Sequence, residues 1–318
     1  MAQYLVTGVA GFIGSSIARA LLERGHAVRG IDNLSTGKME NIADIGQLDF
    51  RQADINDEAA ISAACRGVDY VLHQAAIPSV PRSVKEPALS NRANLDGTLA
   101  VLIAARDARV KRVVYASSSS LYGETPTLPK REDMLPAPIS PYAVAKLAGE
   151  YYMQAFYRVY GLETVSLRYF NVFGPHQDPT SMYSGVLAIF ITRMLRGERP
   201  TIYGDGEQSR DFTFVQNVIE GNILASTAPA AEAAGKYFNL ATGKRFTLKQ
   251  TYAILQKLTG YKGHPEFAPD RAGDIKHSLS DITLAQRHLG YKPVVDFEQG
   301  LEKTVAWYRT QVVAAAAH

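Results

Sequence analysis

A glycine-rich segment near the start of the chain constrains the fold more than any other feature of the sequence. The segment VTGVAGFIG (residues 6–14) places Gly8, Gly11 and Gly14 between a β-branched run and a helical pattern. Glycines there allow a tight strand-to-helix turn and let a pyrophosphate approach the helix N-terminus, where free N–H groups favour negative charge. The spacing differs from the common Gly-x-Gly-x-x-Gly fingerprint. The segment nevertheless predicts a dinucleotide-binding βαβ unit.

An acidic residue follows at the distance that such a unit requires. Asp32 ends the second predicted strand, about 20 residues after the glycines. A carboxylate at this place accepts a hydrogen bond from the adenosine 2′-hydroxyl and repels a 2′-phosphate, so the sequence predicts NAD rather than NADP. Asp54 and Ile55 end the third predicted strand and are candidates for contact with the adenine ring.

The first 170 residues alternate short β-branched runs with helical patterns. This alternation predicts an α/β fold, a Rossmann-like doubly wound parallel sheet. The strand candidates are residues 3–8, 27–32, 48–54, 68–74, 112–118 and 164–170, and the helical stretches include 15–25, 94–109 and 140–161.

The character of the chain changes after about residue 171. Turn-rich segments appear, interrupted by helical patterns around 186–196, 217–226, 247–259 and 298–311. We therefore expect an NAD-binding domain over 1–170 and a smaller C-terminal α/β substrate-binding domain over most of 171–311. The segment 211–225 is expected to return to the sheet domain, and 312–318 reads as a tail.

The bulk composition favours a cytoplasmic enzyme. The net charge of +3 is small for 318 residues, so no general attraction to nucleic acid or to a membrane surface is expected. No apolar run approaches the length of a membrane span, and no segment resembles a signal peptide. The single cysteine, Cys65, excludes an intramolecular disulfide, and the seven histidines show no metal-ligand spacing, so no metal site is expected.

Two residues with acid–base chemistry lie four positions apart in a predicted helix. Tyr142 and Lys146 in SPYAVAKLAGE share one helix face. A phenol with a pKa near 10 is a poor base at neutral pH, but an adjacent ammonium stabilises the phenolate. The same lysine can also hold the nicotinamide ribose. The pair follows the strand 112–118, at whose end stand the four serines 117–120.

These motifs together resemble the extended short-chain dehydrogenase/reductase superfamily over essentially the whole chain. The matching segments run from VTGVAGFIG through SSLYG, SPYAVAK and LRYFNVFGP to RAGDIKHSLSD. Within the superfamily the chain is similar to the nucleotide-sugar 4-epimerases, and most to the branch acting on UDP-N-acetylhexosamines. QAAIPSVPRSVKEP, NLDGT and GPHQDP carry that similarity.

The resemblance implies roles for individual residues. Ser118 is the catalytic hydroxyl, Tyr142 the base and Lys146 its partner, whereas Asn94 anchors the catalytic helix. The implied substrate contacts are Asn171 at the phosphates, Arg210 and Arg271 at the pyrophosphate, Asp274 at the uridine ribose and Tyr203 beside the uracil. The expected cofactor contacts are Gly8, Gly11, Phe12, Ile13, Gly14, Asp32, Asn33, Asp54, Ile55, Gln74, Ala75, Asn94, Tyr142, Lys146 and Tyr169.

Ser119 and Ser120 indicate the type of reaction, because they stand where related enzymes carry acidic residues. Related dehydratases carry Asp-Glu directly after the catalytic hydroxyl, and decarboxylases carry a Glu two residues before the following Tyr. Ser119 and Ser120 occupy those positions here, so epimerisation is the simplest outcome. The resemblance implies that hydride leaves C4 for NAD, the 4-keto sugar turns, and the hydride returns to the opposite face.

The substrate prediction depends on Ser278. Epimerases restricted to UDP-glucose and UDP-galactose carry a bulky Tyr at this place, so Ser278 is expected to admit an N-acetyl group at C2. Ser79 and Gln177 are candidate donors to the acetamide or the sugar hydroxyls. Arg82 could meet a uronate carboxylate, which keeps UDP-N-acetylglucosaminuronate and UDP-glucuronate as alternatives. Pro78, where many glucose/galactose epimerases have Lys, leaves the contacts of its loop open.

Two further expectations concern assembly and activity. Helices 94–108 and 142–160 resemble those that pair across the two-fold dimer of the family, so a homodimer is expected. A non-catalytic dinucleotide sensor on the same fold is the alternative from another class. Such proteins commonly lack the Tyr/Lys pair, which this chain retains together with Ser118.

Overall fold

The structure, a computed structural model, describes residues 1–179, 185–269 and 276–316. Its strands are β1 Gln3–Thr7, β2 Ala27–Asp32, β3 Asp49–Gln52, β4 Tyr70–His73, β5 Arg112–Ser118, β6 Glu163–Tyr169, β7 Val172–Phe173, β8 Thr201–Tyr203, β9 Ser209–Arg210, β10 Thr213–Phe214, β11 Lys236–Leu240, β12 Phe246–Thr247 and β13 Glu266–Ala268. Its α-helices are α1 Phe12–Glu23, α2 Glu58–Cys65, α3 Val80–Lys85, α4 Pro87–Asn91, α5 Gly97–Asp107, α6 Pro141–Tyr160, α7 Val186–Leu195, α8 Val215–Thr227, α9 Ala230–Ala233, α10 Leu248–Thr259, α11 Thr283–Leu289 and α12 Phe297–Ala316.

A seven-stranded sheet in the order β11-β6-β5-β4-β1-β2-β3 forms the centre of the molecule. All of its strand pairs are parallel. Parallel neighbours require crossover connections, which the helices supply. The predicted doubly wound sheet is therefore confirmed, and each of the six strand candidates forms a strand. The seventh strand, β11, comes from the part of the chain that the sequence assigned mainly to substrate binding.

The register of the sheet brings polar residues together at the carboxyl ends of its strands. Thr7 pairs with His73 at the carboxyl ends of β1 and β4, and Ser118 pairs with Tyr169 at the ends of β5 and β6. Asp32 ends β2, next to β1. In an open parallel sheet, ligands bind outside the carboxyl ends of the strands. The carboxyl ends of the strands therefore position the candidate site.

Helices cover both faces of the sheet, as the crossover connections of an all-parallel sheet require. One core contains Ile17 of α1 and Val218 of α8, and the core on the other face contains Val101 of α5 and Met153 of α6. Helix α5 begins later than the predicted stretch 94–109, because residues Arg92–Asp96 form a π-helical turn.

A third core consists of buried residues after position 171. It holds an aromatic cluster in which the Phe173 ring lies 5.5 Å from Phe214 and 5.6 Å from Phe297, centroid to centroid. Helices α7, α10 and α12 and the strand pairs β7–β10, β8–β13 and β9–β12 surround this core. Over the described part of the chain, no helix is both long and apolar enough to cross a bilayer.

Candidate active site

The loop after β1 forms a cradle at the start of α1. Gly8 has a φ of +68°, which glycine adopts readily, and a Cβ on Gly14 would lie 2.1 Å from the Gly8 carbonyl oxygen. Helix α1 therefore packs directly against the loop. Its N-cap, Gly11, supplies no side-chain cap to the first N–H groups of the helix that starts with Phe12 and Ile13. Such N–H groups suit a phosphate.

Asp32 stabilises this cradle in addition to its predicted contact with a ribose. Its carboxylate accepts hydrogen bonds from the Ala10 N–H (3.0 Å) and the Leu34 N–H (2.8 Å). Burial raises the pKa of the carboxyl, and only 8% of the residue is exposed. The sequence indicated a ribose contact but not this link between β2 and the glycine loop.

The residues predicted near the adenine lie together. The Asn33 amide donates to the Asp54 carboxylate at 2.9 Å. Ile55 follows in a buried position, and a Cβ on Gly97 would lie 2.5 Å from it.

Polar side chains join the ends of β1, β4 and β6. The Tyr169 hydroxyl donates to Gln74 Oε1 (3.1 Å) and accepts from the Asn222 amide (2.7 Å). The Ala75 N–H donates to Thr7 Oγ1 at 3.1 Å. Asn222, on α8, was not identified from the sequence, because only the folded chain brings it to Tyr169.

Asn94 holds the segment after β4. Its side-chain carbonyl accepts from the Ile77 N–H (2.8 Å), and its amide donates to the Ile77 carbonyl (3.2 Å) and Ser90 Oγ (3.1 Å). The π-helical turn that contains Asn94 also contacts α6, and the anchoring of the catalytic helix by Asn94 stays a prediction.

The three predicted catalytic side chains lie together at the end of β5 and the start of α6. Ser140 caps α6 by accepting from the Ala143 N–H at 3.2 Å, which places Tyr142 in the first turn. Ser118 at the end of β5 lies close enough to Tyr142 for its hydroxyl to influence the phenol. Lys146 Nζ lies 6.0 Å from the centroid of the Tyr142 ring. Burial raises the pKa of Tyr142, and the nearby Ser118 hydroxyl opposes that shift.

Lys146 is a buried cation with no ion pair among the residues that the structure describes. Its Nζ donates to the Ala116 carbonyl at 2.8 Å and lies 4.8 Å from the centroid of the Tyr115 ring. Burial lowers the pKa of Lys146 to about 7. Loss of hydration, not a neighbouring charge, thus brings this ammonium close to titration at neutral pH.

A neutral histidine lies beside this lysine. The His73 ring stacks on Tyr115 at 5.6 Å and is hydrogen-bonded to Thr7 (2.7 Å) and Thr98 (3.0 Å). Burial and the nearby Lys146 charge lower the pKa of His73 to about 3. His73 therefore carries no charge at neutral pH.

The serines after β5 differ in their surroundings. Ser117 Oγ donates to Glu150 of α6 at 2.5 Å, and Glu150 forms a fully buried ion pair with Arg168 of β6 at 2.8 Å. Arg168 also donates to the Tyr122 hydroxyl at 2.8 Å. The sequence did not reveal this network, which fixes α6 to the strand that carries Ser118. The buried Ser120 hydroxyl has no partner within the described ranges.

Asn171 and Ser278, two of the predicted substrate residues, contact each other, and Arg210 bonds the backbone of the segment that carries Ser278. Asn171, with a φ of +36°, donates through its amide to Ser278 Oγ at 3.1 Å. Arg210 donates to the carbonyls of Ser209 (3.1 Å) and Lys276 (3.2 Å). Tyr203 ends β8, and its carbonyl accepts from the Gln208 amide at 2.5 Å. Arg271 and Asp274 lie outside the described residues.

The remaining candidates already have protein partners. Ser79 Oγ caps α3 by accepting from the Arg82 N–H at 3.1 Å, which leaves its own proton to donate. The Gln177 amide donates weakly to the Val172 carbonyl at 3.3 Å. Arg82 pairs with Glu86 at 3.0 Å, and both side chains are partly exposed.

The cradle suits a dinucleotide on structural grounds. A bare helix N-terminus, a close loop–helix contact at Gly14 and a carboxylate at the end of β2 meet at one edge of the sheet. Tyr142 and Lys146 lie at the end of β5 along the same edge. The fold and the site thus define a Rossmann-type, nucleotide-dependent enzyme.

Comparison with known proteins gives the family. The model of the NAD dependent epimerase/dehydratase family matches residues 4–241. The UDP-glucose 4-epimerase of Mycolicibacterium smegmatis is 38% identical over 312 residues, which cover 96% of this chain and 98% of that protein. The chain belongs to the NAD dependent epimerase/dehydratase family.

Solved structures agree over nearly the whole chain. The UDP-N-acetylglucosamine 4-epimerase of Methanobrevibacter ruminantium M1, in complex with UDP-N-acetylmuramic acid, is 42% identical with a TM-score of 0.93 and covers 98% of this chain and 99% of its own. The UDP-glucose 4-epimerase of Thermotoga maritima, with UDP-glucose, is 41% identical with a TM-score of 0.92 and the same coverage. The predictions of an isomerase and of NAD as its cofactor are confirmed.

Proposed function

We propose that this UDP-sugar 4-epimerase interconverts UDP-N-acetylglucosamine and UDP-N-acetylgalactosamine, and also UDP-glucose and UDP-galactose, by transient oxidation at C4. The observation that carries this proposal is the grouping of Ser118, Tyr142 and Lys146 at the carboxyl ends of the strands, where the glycine cradle also lies. Asn171 and Ser278, two candidate substrate contacts, are hydrogen-bonded to each other.

The protein groups perform proton transfer and charge stabilisation. When bound, NAD supplies the reversible hydride acceptor that oxidation at C4 requires. Tyr142, as the phenolate, takes the proton of the C4 hydroxyl, with Ser118 relaying or stabilising it, and returns the proton after the keto sugar has turned. The Lys146 ammonium stabilises the phenolate. Positioned proton transfer of this kind contributes roughly 10²–10⁴-fold to the rate.

The turn after Ser118 supports epimerisation over elimination. Residues Ser119–Tyr122 form a single 3₁₀ turn whose side chains include no carboxylate. Elimination of water from the keto sugar needs an acid near the leaving group, and this turn offers only hydroxyls. The keto sugar is therefore reduced again without further change.

Ser278 supports acceptance of an N-acetyl group. Its small side chain contacts the Asn171 amide and the Asp211 N–H (3.2 Å). A tyrosine at position 278 would place its ring in the space that the small serine side chain leaves for an N-acetyl group. The alternative of a uronate substrate relies on Arg82, whose pairing with Glu86 weakens that argument.

Product analysis by NMR tests the substrate. Purified protein is incubated with UDP-N-acetylglucosamine, UDP-glucose and the two corresponding uronates. We expect Ser278→Tyr to reduce turnover of the N-acetylated sugar by at least about 100-fold while UDP-glucose is still converted. Ser278→Ala, which keeps the space, is the matched control. Turnover of UDP-glucose alone by the unaltered protein, or full N-acetyl activity in Ser278→Tyr, would contradict the proposal.

Removal of one phenol tests the mechanism and the alternative of a non-catalytic sensor. Tyr142→Phe should lower kcat by roughly 10²–10⁴-fold. Tyr70→Phe is the control, because Tyr70 begins β4 and therefore lies at the amino ends of the strands, away from the candidate site. Full activity in Tyr142→Phe would refute the assigned base, and a lack of any turnover in the wild type would favour the sensor.

We also propose a homodimer through α5 and α6. Ile103 on α5 and Val144 and Tyr151 on α6 are large side chains with 40–56% of their surface exposed. A row of exposed apolar residues on neighbouring helices favours a protein interface. Light scattering should give about twice the 34.7 kDa chain mass, and Ile103→Glu should shift it toward the monomer. A monomeric wild type would refute this assembly.

A further inference from the structure

Asp211 is a fully buried carboxylate next to Arg210. The segment that carries it, between β9 and β10, connects two short strands. No ion pair involves Asp211 in the described part of the chain. An isolated buried carboxylate is costly unless hydrogen bonds compensate for the lost hydration.

Four donors compensate for that cost. Oδ1 accepts from the Thr242 N–H (3.1 Å) and the Thr242 hydroxyl (2.7 Å), and Oδ2 accepts from the N–H groups of Gly243 (3.1 Å) and Ser280 (3.1 Å). Each carboxylate oxygen therefore receives two donors. The carboxylate joins the loop after β11 to the segment that follows residue 276.

The backbone of Asp211 contacts the candidate substrate residues directly. Its N–H donates to Ser278 Oγ at 3.2 Å, and its carbonyl accepts from the Asn171 amide at 3.0 Å. Asn171 and Ser278 are also hydrogen-bonded to each other. Side chain and backbone of Asp211 thus hold three separate segments around one point.

We propose that Asp211 is the positioning residue of the sugar-nucleotide pocket, holding Asn171, Arg210 and Ser278 in the geometry that binds the substrate. The inference rests on the proposed function, because those three residues are its candidate substrate contacts. Asp211 itself acts through them and does not touch the substrate.

Only a carboxylate satisfies this site. An amide in either orientation would point its NH₂ group at two donors, so Asp211→Asn loses two hydrogen bonds and opposes donors to donors. Burial raises the pKa of the Asp211 carboxyl to about 6, so it remains ionised at neutral pH and accepts all four bonds. Misplacement of the three pocket residues weakens substrate binding, whereas the Ser118–Tyr142–Lys146 group on β5 and α6 is left in place.

Steady-state kinetics of the NAD-loaded enzyme test the proposal. For Asp211→Asn we expect the KM for the UDP-sugar to rise roughly 10–100-fold, with kcat within about threefold of the wild type and bound NAD unchanged. Asn217→Ala is the matched control: Asn217 is fully buried and bonds the Val294 and Val295 backbone, away from the candidate substrate residues. It should lower Tm without raising KM.

A milder variant keeps the test decisive if Asp211→Asn does not fold. Thr242→Val removes one of the four donors and should raise KM roughly 3–10-fold. An unchanged KM in the folded variants, or a loss confined to kcat or to Tm, overturns the proposal.

Failure of the proposed function is recognised separately. If the wild type converts no UDP-sugar, titration calorimetry still measures the affinity of the pocket for UDP. Weaker UDP binding in Asp211→Asn and Thr242→Val, but not in Asn217→Ala, then supports the role of Asp211. Equal UDP binding in all four proteins refutes it.

Discussion

Replacing Lys146 by methionine should stabilise the protein while it removes activity. Lys146 is 2% exposed, and its ammonium contacts one carbonyl, the Tyr115 ring and, at a longer distance, the Tyr142 ring. Burial lowers its pKa from 10.5 to about 7. Between these values the native state binds fewer protons than the unfolded chain, so stability rises with pH across this window. Methionine has a similar length and no charge to desolvate.

The size of this stability difference follows from the difference between the Lys146 pKa in the unfolded and native states. At about 1.36 kcal/mol per pH unit, a gap from 10.5 to about 7 corresponds to roughly 5 kcal/mol of lost stability when both states are fully protonated. Between pH 6 and pH 9 the wild type should regain roughly 3 kcal/mol of this relative to Lys146→Met. The variant should therefore have the higher Tm at pH 6, by several degrees, and the advantage should shrink at pH 9.

Thermal unfolding of the cofactor-free protein at pH 6, 7, 8 and 9 measures this difference, since the titrations of groups away from Lys146 are the same in the two proteins. Lys257→Met, at an exposed position on α10, is the control and should show the pH dependence of the wild type. A lower Tm of Lys146→Met at pH 6, or a difference that does not change with pH, would refute the reasoning. Activity of the variant should fall at least about 100-fold.

Substitutions at three other positions, Gly14, Glu150 and Tyr115, probe the packing around the site. Gly14→Ala places a methyl group 2.1 Å from a loop carbonyl, so we expect a loss of roughly 1–3 kcal/mol and of bound NAD by calorimetry, whereas Gly46→Ala, with nothing within 4 Å, should be neutral. Glu150→Gln leaves the buried Arg168 without its counter-charge and should cost roughly 3–5 kcal/mol in urea unfolding; a smaller loss than for an exposed pair would contradict this. Tyr115→Phe should keep kcat within about threefold, because its hydroxyl has no partner in the described structure, but Tyr115→Leu should lower kcat roughly tenfold through loss of the cation–π contact.

The sequence predicted those parts of the fold that depend on local patterns. Parallel strands that are buried on both faces appear as mainly apolar runs, which made β1, β4, β5 and β6 visible, whereas β2 and the polar β3 followed from the alternation with helical patterns. The start of α6 was equally clear, because Ser140 and Pro141 have the preferences of an N-cap and a first helical position. The seventh strand, β11, was not recognised, because it lies outside the regular strand–helix alternation of the first 170 residues and its partner, β6, lies about 70 residues earlier.

The candidate site was harder to predict from the sequence for the same reason. Ser118, Tyr142 and Lys146 could be named because a family pattern links them. Asp211 and Asn222 carry no local signal, since their partners lie tens of residues away and become neighbours only when the chain folds. Asn94 was named from the family pattern, but its side-chain contact with Ile77 became visible only in the folded chain.

The position of β11 at the edge of the main sheet bears on how the protein is made. Until about residue 240 has left the ribosome, the β6 edge has no neighbour, and Phe238 and Leu240 are missing from the core beneath it. The α8 side chains that cover the same face also arrive late. An unpaired strand edge invites association with other chains. A fragment ending at residue 170 would expose this strand edge permanently, so we expect such a fragment to associate with other chains rather than to behave as a separate module.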